Sequence, residues 1–561
     1  MTPITQRTSC IMDCPDTCAL EVTVENGKVT KIAGANDHPD TNGIICTKVA
    51  RYDRRLYHKD RLLYPMKRTG AKGEGKFERI GWVEAIATIT RKFREIKAHW
   101  GGEAILPYHY GGSNGLLGDE FLDDYFFAKL GASRLNKTIC AAPSTAVAAG
   151  MYGKMPGVAF EDFVEAKCII IWGANPKASN IHLVPYLREA KKRGAFLAVV
   201  DPTRTFSARE ADLHIPVYPG TDLPLALAMV KLWHENDQLD RQFLGEHAKD
   251  IEPLLEAATL WPVERAAKEA RVSENAILQL ANVYAESNPA VIRAGWGPER
   301  NRNGGQALAA ILAMPALLGK FGVRGGGYAM SNSGAASLDA NKIFGDDKWN
   351  TRNINMTLLG DVLTNDFNPP VKALFVYNCN PAVTVPNQNT VLRGLARKDL
   401  FTVVFEQVLT DTALYADILL PATTFLEQAE IRKAYGSYIV GGIQPMIEPC
   451  GEAKPNEMVF AELGRAMGWQ DEVFTWDSNM YLQKAIEALD LNGESANASI
   501  LENGNVQRIT FEDQNPVQFK TVFPRTSDGK VDLKPDCLGK YPYHYHPLYD
   551  EEYPLAMISP A

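Results

Sequence analysis

Short apolar runs recur along this chain in a fixed order. IIIW at 169–172 and ALFVY at 373–377 are continuous apolar runs of strand length, the pattern of strands buried on both faces of a parallel sheet. The first leads into Gly173-Ala174-Asn175-Pro176, a helical stretch from about Ser179 to Lys192 closed by Gly194, the run AFLAVV ending in Asp201, and LHIP after Ala211-Asp212. The second leads into Asn378-Cys379-Asn380-Pro381, another helical stretch, FTVVF ending in Glu406, and ILLP after Ala416-Asp417. One ungapped register relates them. Asn175 and Asn380 are 205 positions apart, as are Pro176 and Pro381, Asp201 and Glu406, Thr205 and Thr410, Ala208 and Ala413, Asp212 and Asp417, and Pro216 and Pro421. The register predicts two related βαβ modules. Nucleotides bind at the carboxyl ends of such strands, where Asp201 and Glu406 are placed to accept from a ribose or a guanine edge. A duplicated scaffold without ligands is the plainer alternative. Neither module carries G-x-G-x-x-G, so an ordinary NAD site is not indicated.

Other stretches fill in the plan. ALEVTVENGKVTKIAG alternates around Asn26-Gly27, which predicts a hairpin with a type I′ turn. Tyr218-Pro219-Gly220-Thr221-Asp222 opens the helix LPLALAMVKLWHEN, with Asp222 near its N-cap. Glycine-rich loops at 295–297, 303–305 and 325–327 would let backbone approach a bulky ligand. The longest apolar run, Ala307–Gly319, is broken by Pro315 and falls short of the roughly 20 residues of a membrane span.

With 561 residues, the chain has room for about three or four domains. Hydrophobic residues at 45% and charged residues at 22% fit a globular protein and exclude a disordered or fibrous one. A net charge of −8 excludes the basic field of a general nucleic-acid binder. MTPITQRTSC carries no export signal, so a cytoplasmic location is expected.

Four of the nine cysteines crowd the front of the chain: Cys10, Cys14, Cys18 and Cys46, in the pattern C-x3-C-x3-C-x27-C. Four thiolates so spaced suit an iron–sulfur cubane. Structural zinc more often uses two close pairs, and four unrelated core thiols are the remaining alternative. Lys48 follows as a surface lysine or as a cation between the cluster and a second redox centre. Cys140, in KTICAAPSTAVAAG, stands where a helix would begin, and is either a metal-binding thiol or a core thiol.

The cysteine motif with Lys48, together with WGANP, DPTRT, YPGTD, YNCNPA and ADILLPATTFLE, resembles the molybdopterin oxidoreductases of the dimethyl sulfoxide reductase family over essentially the whole chain. The resemblance implies an α/β, multi-domain fold with a small β-rich N-terminal iron–sulfur module and two related Rossmann-like α/β domains. The iron–sulfur module would span 1–60, joined in space by about 430–550. One dinucleotide-binding domain would combine 61–138 with 345–429, and the other would span 139–344. Residues 551–561, with LAMIS as a strand, would open a C-terminal pterin-binding β-barrel domain that is otherwise missing, and weak cofactor binding would follow.

The implied cofactors are a [4Fe–4S] cluster and bis-molybdopterin guanine dinucleotide with molybdenum or tungsten. Carried over residue by residue, Cys10, Cys14, Cys18 and Cys46 hold the cluster, Lys48 lies between cluster and pterin, and Cys140 ligates the metal, with Ser144 the weaker candidate. Gly173, Asn175, Asp201, Thr203, Gly220, Asp222 and Gly297 would contact one nucleotide, and Asn380 with Glu406 the other. Ala141 stands where formate dehydrogenases of the family have histidine, and GGGYAMSNSG lacks their arginine, so formate is not the expected substrate. The expected function is electron transfer between a small-molecule substrate and the cluster, then to an electron-transfer protein or iron–sulfur subunit, without nucleic acid or membrane insertion. The alternatives are a non-redox hydratase or transhydroxylase, or a cofactor-free structural subunit of a respiratory complex.

Overall fold

Each of the two repeats builds a parallel sheet in this computed structural model, which describes residues 2–345, 349–502, 504–548 and 552–558. In the first sheet five parallel strands run in the order Leu213–Ile215, Phe196–Val200, Cys168–Trp172, Ala290–Ala294, Gly327–Ala329. The chain winds one way from Cys168–Trp172 and the other way after it. A switch point therefore falls between that strand and Ala290–Ala294, where α/β sheets open a crevice. Side chains alternate across the sheet. Cys168, Ile170 and Trp172 pack with the Asp222–Glu235 and Gly304–Leu317 helices, while Ile169 and Ile171 pack with Leu183 and Leu187 on the other face. Each fully buried isoleucine contributes roughly 1.5–3 kcal/mol by leaving water, which is why these runs need no polar alternation.

The second sheet has six strands, in the order Phe77–Arg79, Met66–Arg68, Ile418–Pro421, Phe401–Glu406, Ala373–Tyr377, Ile105–His109. The four from Ile418–Pro421 to Ile105–His109 are parallel, and the other two add antiparallel.

The 205-residue register extends to individual hydrogen bonds. Thr205 and Thr410 each accept from the backbone N–H three residues on, at 3.2 Å. The carboxylates of Asp212 and Asp417 each accept from the neighbouring strand, at Leu197 N and Thr402 N, both 2.8 Å. Gly173 (φ 59°) and Asn378 (φ 54°) share the left-handed turn that leaves the first strand.

The helix expected from about Ser179 to Lys192 starts later than expected. Pro176–Ser179 forms a single turn, Asn180 leaves helical geometry, and the helix follows at Val184–Lys192. The Asn180 amide is committed to the Asp16 carboxylate at 2.8 Å, so a distant partner overrides the local helical pattern.

The N-terminal strands Ile4–Ser9, Ala19–Glu25 and Lys28–Gly34 form an antiparallel sheet. Asn26 (φ 51°) and Gly27 (φ 75°) make the two-residue turn with both φ angles positive, as type I′ requires. A second antiparallel sheet of Glu430–Lys433, Ile439–Ile443 and Val506–Arg508 lies against it, joined by the Thr8 hydroxyl and the Gln444 backbone at 3.0 Å.

The strand expected over LAMIS is not formed in its described part. Leu555–Ile558 pairs with no strand, and Leu555 and Met557 are more than nine-tenths exposed, for want of a neighbouring edge among the described residues. Residues 551 and 559–561 of that stretch lie outside the described residues. No helix among the described residues is long and apolar enough to cross a membrane.

Candidate functional site

A cavity of 1070 Å³ lies at the switch point of the first sheet. One wall is built from the loops after Trp172, Val200, Ile215 and Ala294. The 110–120 segment that leaves the Ile105–His109 strand of the second sheet and the N-terminal cysteine loop also line the cavity. Two strand ends must nearly touch to shape the crevice. Gly295 N donates to Trp172 O at 2.8 Å and Gly297 N to Gly173 O at 2.9 Å. A Cβ on Gly295 would stand 2.2 Å from the Gly173 carbonyl, so only glycine permits this approach.

Cys10, Cys14, Cys18 and Cys46 all line this cavity. The first three occupy the loop of a hairpin. Ser9 pairs with Ala19, Cys10 N donates to Cys18 O at 2.8 Å, and Cys14 lies midway. Cys46 returns from the far side after Lys28–Gly34, where Gly43 packs so closely that a Cβ on Gly34 would meet the Gly43 carbonyl at 2.3 Å.

Burial raises the thiols of Cys10 and Cys18 and pushes Cys14 up to about 12. Thiolates here need a compensating metal. The four soft thiolate donors, brought to one cavity from two stretches of the chain, fit an iron–sulfur cluster.

Lys48 lines the cavity and makes no ion pair among the described residues. Cys140 also lines it, just before the helix Ala142–Tyr152, with Ala141 at the N-cap. Its carbonyl accepts from Arg300 at 2.8 Å, and Tyr110 lines the same cavity. Burial, then the nearby Asp13 carboxylate, raise the Cys140 thiol. Ser144 is fully buried instead, and its hydroxyl donates to the Glu299 carboxylate.

The residues expected at the first nucleotide meet on one wall: Gly173, Asn175, Asp201, Thr203, Gly220, Asp222 and Gly297. Asp201 accepts from Thr203 N at 2.8 Å, which turns the chain at the strand end. Asp222 is the first residue of its helix, with Thr221 at the cap, and accepts from the Trp172 indole at 2.8 Å. Burial raises Asp201 and pushes Asp222 up to about 6, against the pull of the Trp172 bond. The Asn175 side-chain oxygen is buried without a partner, an acceptor left open at the cavity wall where a bulky polar ligand would sit.

Asn380 and Glu406 are not brought to this cavity. Asn380 is engaged by Thr412, and Glu406 accepts from Gln407 N at 2.6 Å, with burial raising it.

Several cavity groups carried no pattern of their own. Tyr435 lines the cavity and packs edge-on against Trp296. Asp16 is flanked by cysteines in the sequence, but its partners Asn180 and His182, at 2.8 and 2.6 Å, arrive from more than 160 residues away. Only the proximity of Asp13 and Asp16 to the cysteines hinted at them.

Residues 61–466 match the model of the family described as Molybdopterin oxidoreductase, and residues 5–58 that of the Molybdopterin oxidoreductase Fe4S4 domain. The chain is 36% identical to the Probable oxidoreductase YoaE of Bacillus subtilis (strain 168), covering 98% of this chain and 82% of that protein. It is 28% identical to Dimethyl sulfoxide reductase DmsA of Escherichia coli (strain K12), covering 85% and 66% respectively. The structure of Acetylene Hydratase from Pelobacter acetylenicus superposes with a TM-score of 0.79 at 25% identity, over 97% of this chain and 80% of that one.

Proposed function

The chain belongs to the molybdopterin oxidoreductase family, and from that premise we propose that it passes electrons between a small-molecule substrate at a molybdenum or tungsten centre and a [4Fe–4S] cluster. The family's cofactors, the cluster and the metal with its two pterin guanine dinucleotides, come with that membership. The observation that carries the reading is one cavity walled at once by the four clustered cysteines, Lys48 and Cys140.

In this reading Cys10, Cys14, Cys18 and Cys46 hold the cluster. Cys140 offers a thiolate to the metal, and Lys48 supplies a cation in the cavity they share. Asn175, Asp201, Thr203 and Asp222 offer acceptors to one guanine dinucleotide, and Gly173, Gly220 and Gly297 let backbone come close to it. Asn380 and Glu406 serve the second nucleotide from outside the cavity. When bound, the metal centre supplies two-electron chemistry and the cluster carries electrons singly. The chain's own contribution is positioning: Arg300 fixes the Cys140 carbonyl. Electrons would leave through an electron-transfer protein or iron–sulfur subunit.

Metal and pterin analysis of the purified protein tests this. About four iron and four sulfide, with stoichiometric molybdenum or tungsten and released guanine nucleotide, is the expected composition. Stoichiometric zinc without iron would overturn it. A non-redox hydratase is the second reading, favoured by the likeness to acetylene hydratase over nearly the whole chain. It is separated by turnover that needs no electron donor or acceptor.

A further inference from the structure

Arg432 is fully buried directly behind the cysteine loop. Its strand, Glu430–Lys433, comes from more than 400 residues downstream and pairs with Ile439–Ile443, with Arg432 opposite Gly441. The guanidinium donates to three backbone carbonyls of one short loop: Cys10 at 2.7 Å, Cys14 at 3.2 Å, and Asp16. Among the described residues it makes no ion pair, and its Nε has no hydrogen-bond partner. The carboxylate of Asp16, whose carbonyl it holds, is engaged by Asn180 and His182 instead. A buried cation without a carboxylate partner is costly, and carbonyl dipoles offset only part of that cost. Two of the three carbonyls it holds belong to Cys10 and Cys14, so its positive charge lies against the loop that carries the clustered cysteines.

We infer that Arg432 is a positioning residue for the cluster. Its fork fixes the carbonyls that shape the Cys10–Asp16 loop, and its charge favours the reduced cluster, raising the reduction potential. The inference rests on the reading that these four cysteines hold a [4Fe–4S] cluster. On reduction the cluster accepts one electron, from the metal centre or a redox protein, and gains one negative charge. Net charge close to a cluster is one of the terms that set its potential. In a buried setting a fixed cation at this range is weakly screened, so salt should alter the effect little.

The test uses the full chain, purified without oxygen, as parent, Arg432→Lys and Arg432→Met. Iron and acid-labile sulfide are measured first, then the midpoint potential by titration followed by electron paramagnetic resonance. Arg432→Met is expected to shift the midpoint below the parent value, by the same amount at low and high salt. Arg432→Lys is expected to keep the parent midpoint with reduced iron content, because the charge remains and the fork is lost. An Arg432→Met cluster at the parent potential, or an Arg432→Lys midpoint as low as that of Arg432→Met, would overturn the inference. If Arg432→Met takes up no iron, Arg432→Lys decides alone. A cluster at the parent potential supports the inference, and failure to bind iron overturns the role of the charge. Absence of iron from the parent would instead overturn the cluster reading, before either variant is compared.

Discussion

Asn175 and Asn380 have nearly the same backbone, φ −124° and ψ 80° against φ −127° and ψ 73°, but opposite side-chain fates. The Asn380 amide oxygen accepts from Thr412 N at 3.1 Å and from its hydroxyl at 2.6 Å. The Asn175 oxygen is buried with no partner and lines the cavity. One turn of the repeat is closed on itself, and the other is left open toward the cavity. Asn380→Ala should therefore destabilise the fold by about 1–3 kcal/mol, because the buried Thr412 groups lose their partner. Asn175→Ala should stay within about 0.5 kcal/mol of the parent and lower pterin content. Thermal denaturation with pterin fluorescence on the same samples separates the two, and equal destabilisation would contradict the asymmetry.

The Asp222 carboxyl gives a pH signature. Burial pushes it up to about 6 from an ordinary value of 3.8, with the Trp172 indole opposing. Between these values the folded state keeps a proton that the unfolded state has released. This group's contribution is thus most favourable below pH 4, declines as pH rises to about 6, and is flat above. The full difference is about 3 kcal/mol. Asp222→Asn can still accept from Trp172 but has no charge to bury. In protein freed of cofactor, the variant should melt higher than the parent at pH 7, with the advantage shrinking toward pH 4. A pH-independent difference would place the carboxylate in a wetter site than its burial implies.

Arg61 and Glu427 form a buried ion pair at 2.7 Å between segments more than 360 residues apart. Glu427 also accepts from Thr424 N at 2.5 Å and Cys450 N at 2.7 Å. Removing one member leaves a buried charge, at a cost of about 3–5 kcal/mol. Glu427→Gln should cost that much, and adding Arg61→Met should restore a large part of it. A double-mutant cycle in denaturant measures the coupling, and simple additivity would show the pair to be unimportant.

How much of this was legible follows from where each signal lives. The two modules were readable because parallel strands write continuous apolar runs, and because Asp212 and Asp417 repeat a structural bond at a fixed offset. The hairpin at Asn26-Gly27 was readable because its turn demands residues that tolerate positive φ. The cysteine spacing was readable because one short loop supplies three of the four. Arg432, His182 and Tyr435 were not. Each reaches the cavity or its cysteine loop through tertiary packing, from a stretch whose local pattern is that of ordinary strand, helix or loop. The break at Asn180 was hidden for the same reason, since its partner Asp16 lies at the far end of the chain's numbering. The LAMIS strand was expected from the resemblance to the family's C-terminal domain, and its described residues, 555–558, have no neighbouring edge among the described residues.

Cys140 carries the sharpest remaining prediction. It lines the cavity while Ser144, one turn into the helix, is turned away and bonded to Glu299. A ligand must point into the cavity, so Cys140 should be the metal's protein ligand. X-ray absorption at the metal edge should count about five sulfur neighbours in the parent, four from two pterins and one from Cys140. Cys140→Ser should replace one sulfur by oxygen and change the visible spectrum. Cys140→Ala should lose that sulfur and abolish turnover. The iron content should stay at the parent value in both, because the cluster's four cysteines are untouched. Ser144→Ala is the complementary control. It removes a buried hydrogen bond to Glu299 and should lower stability by about 1–3 kcal/mol, with the sulfur count unchanged. If Cys140→Ala kept both its sulfur count and its activity, the metal would have no ligand at this position.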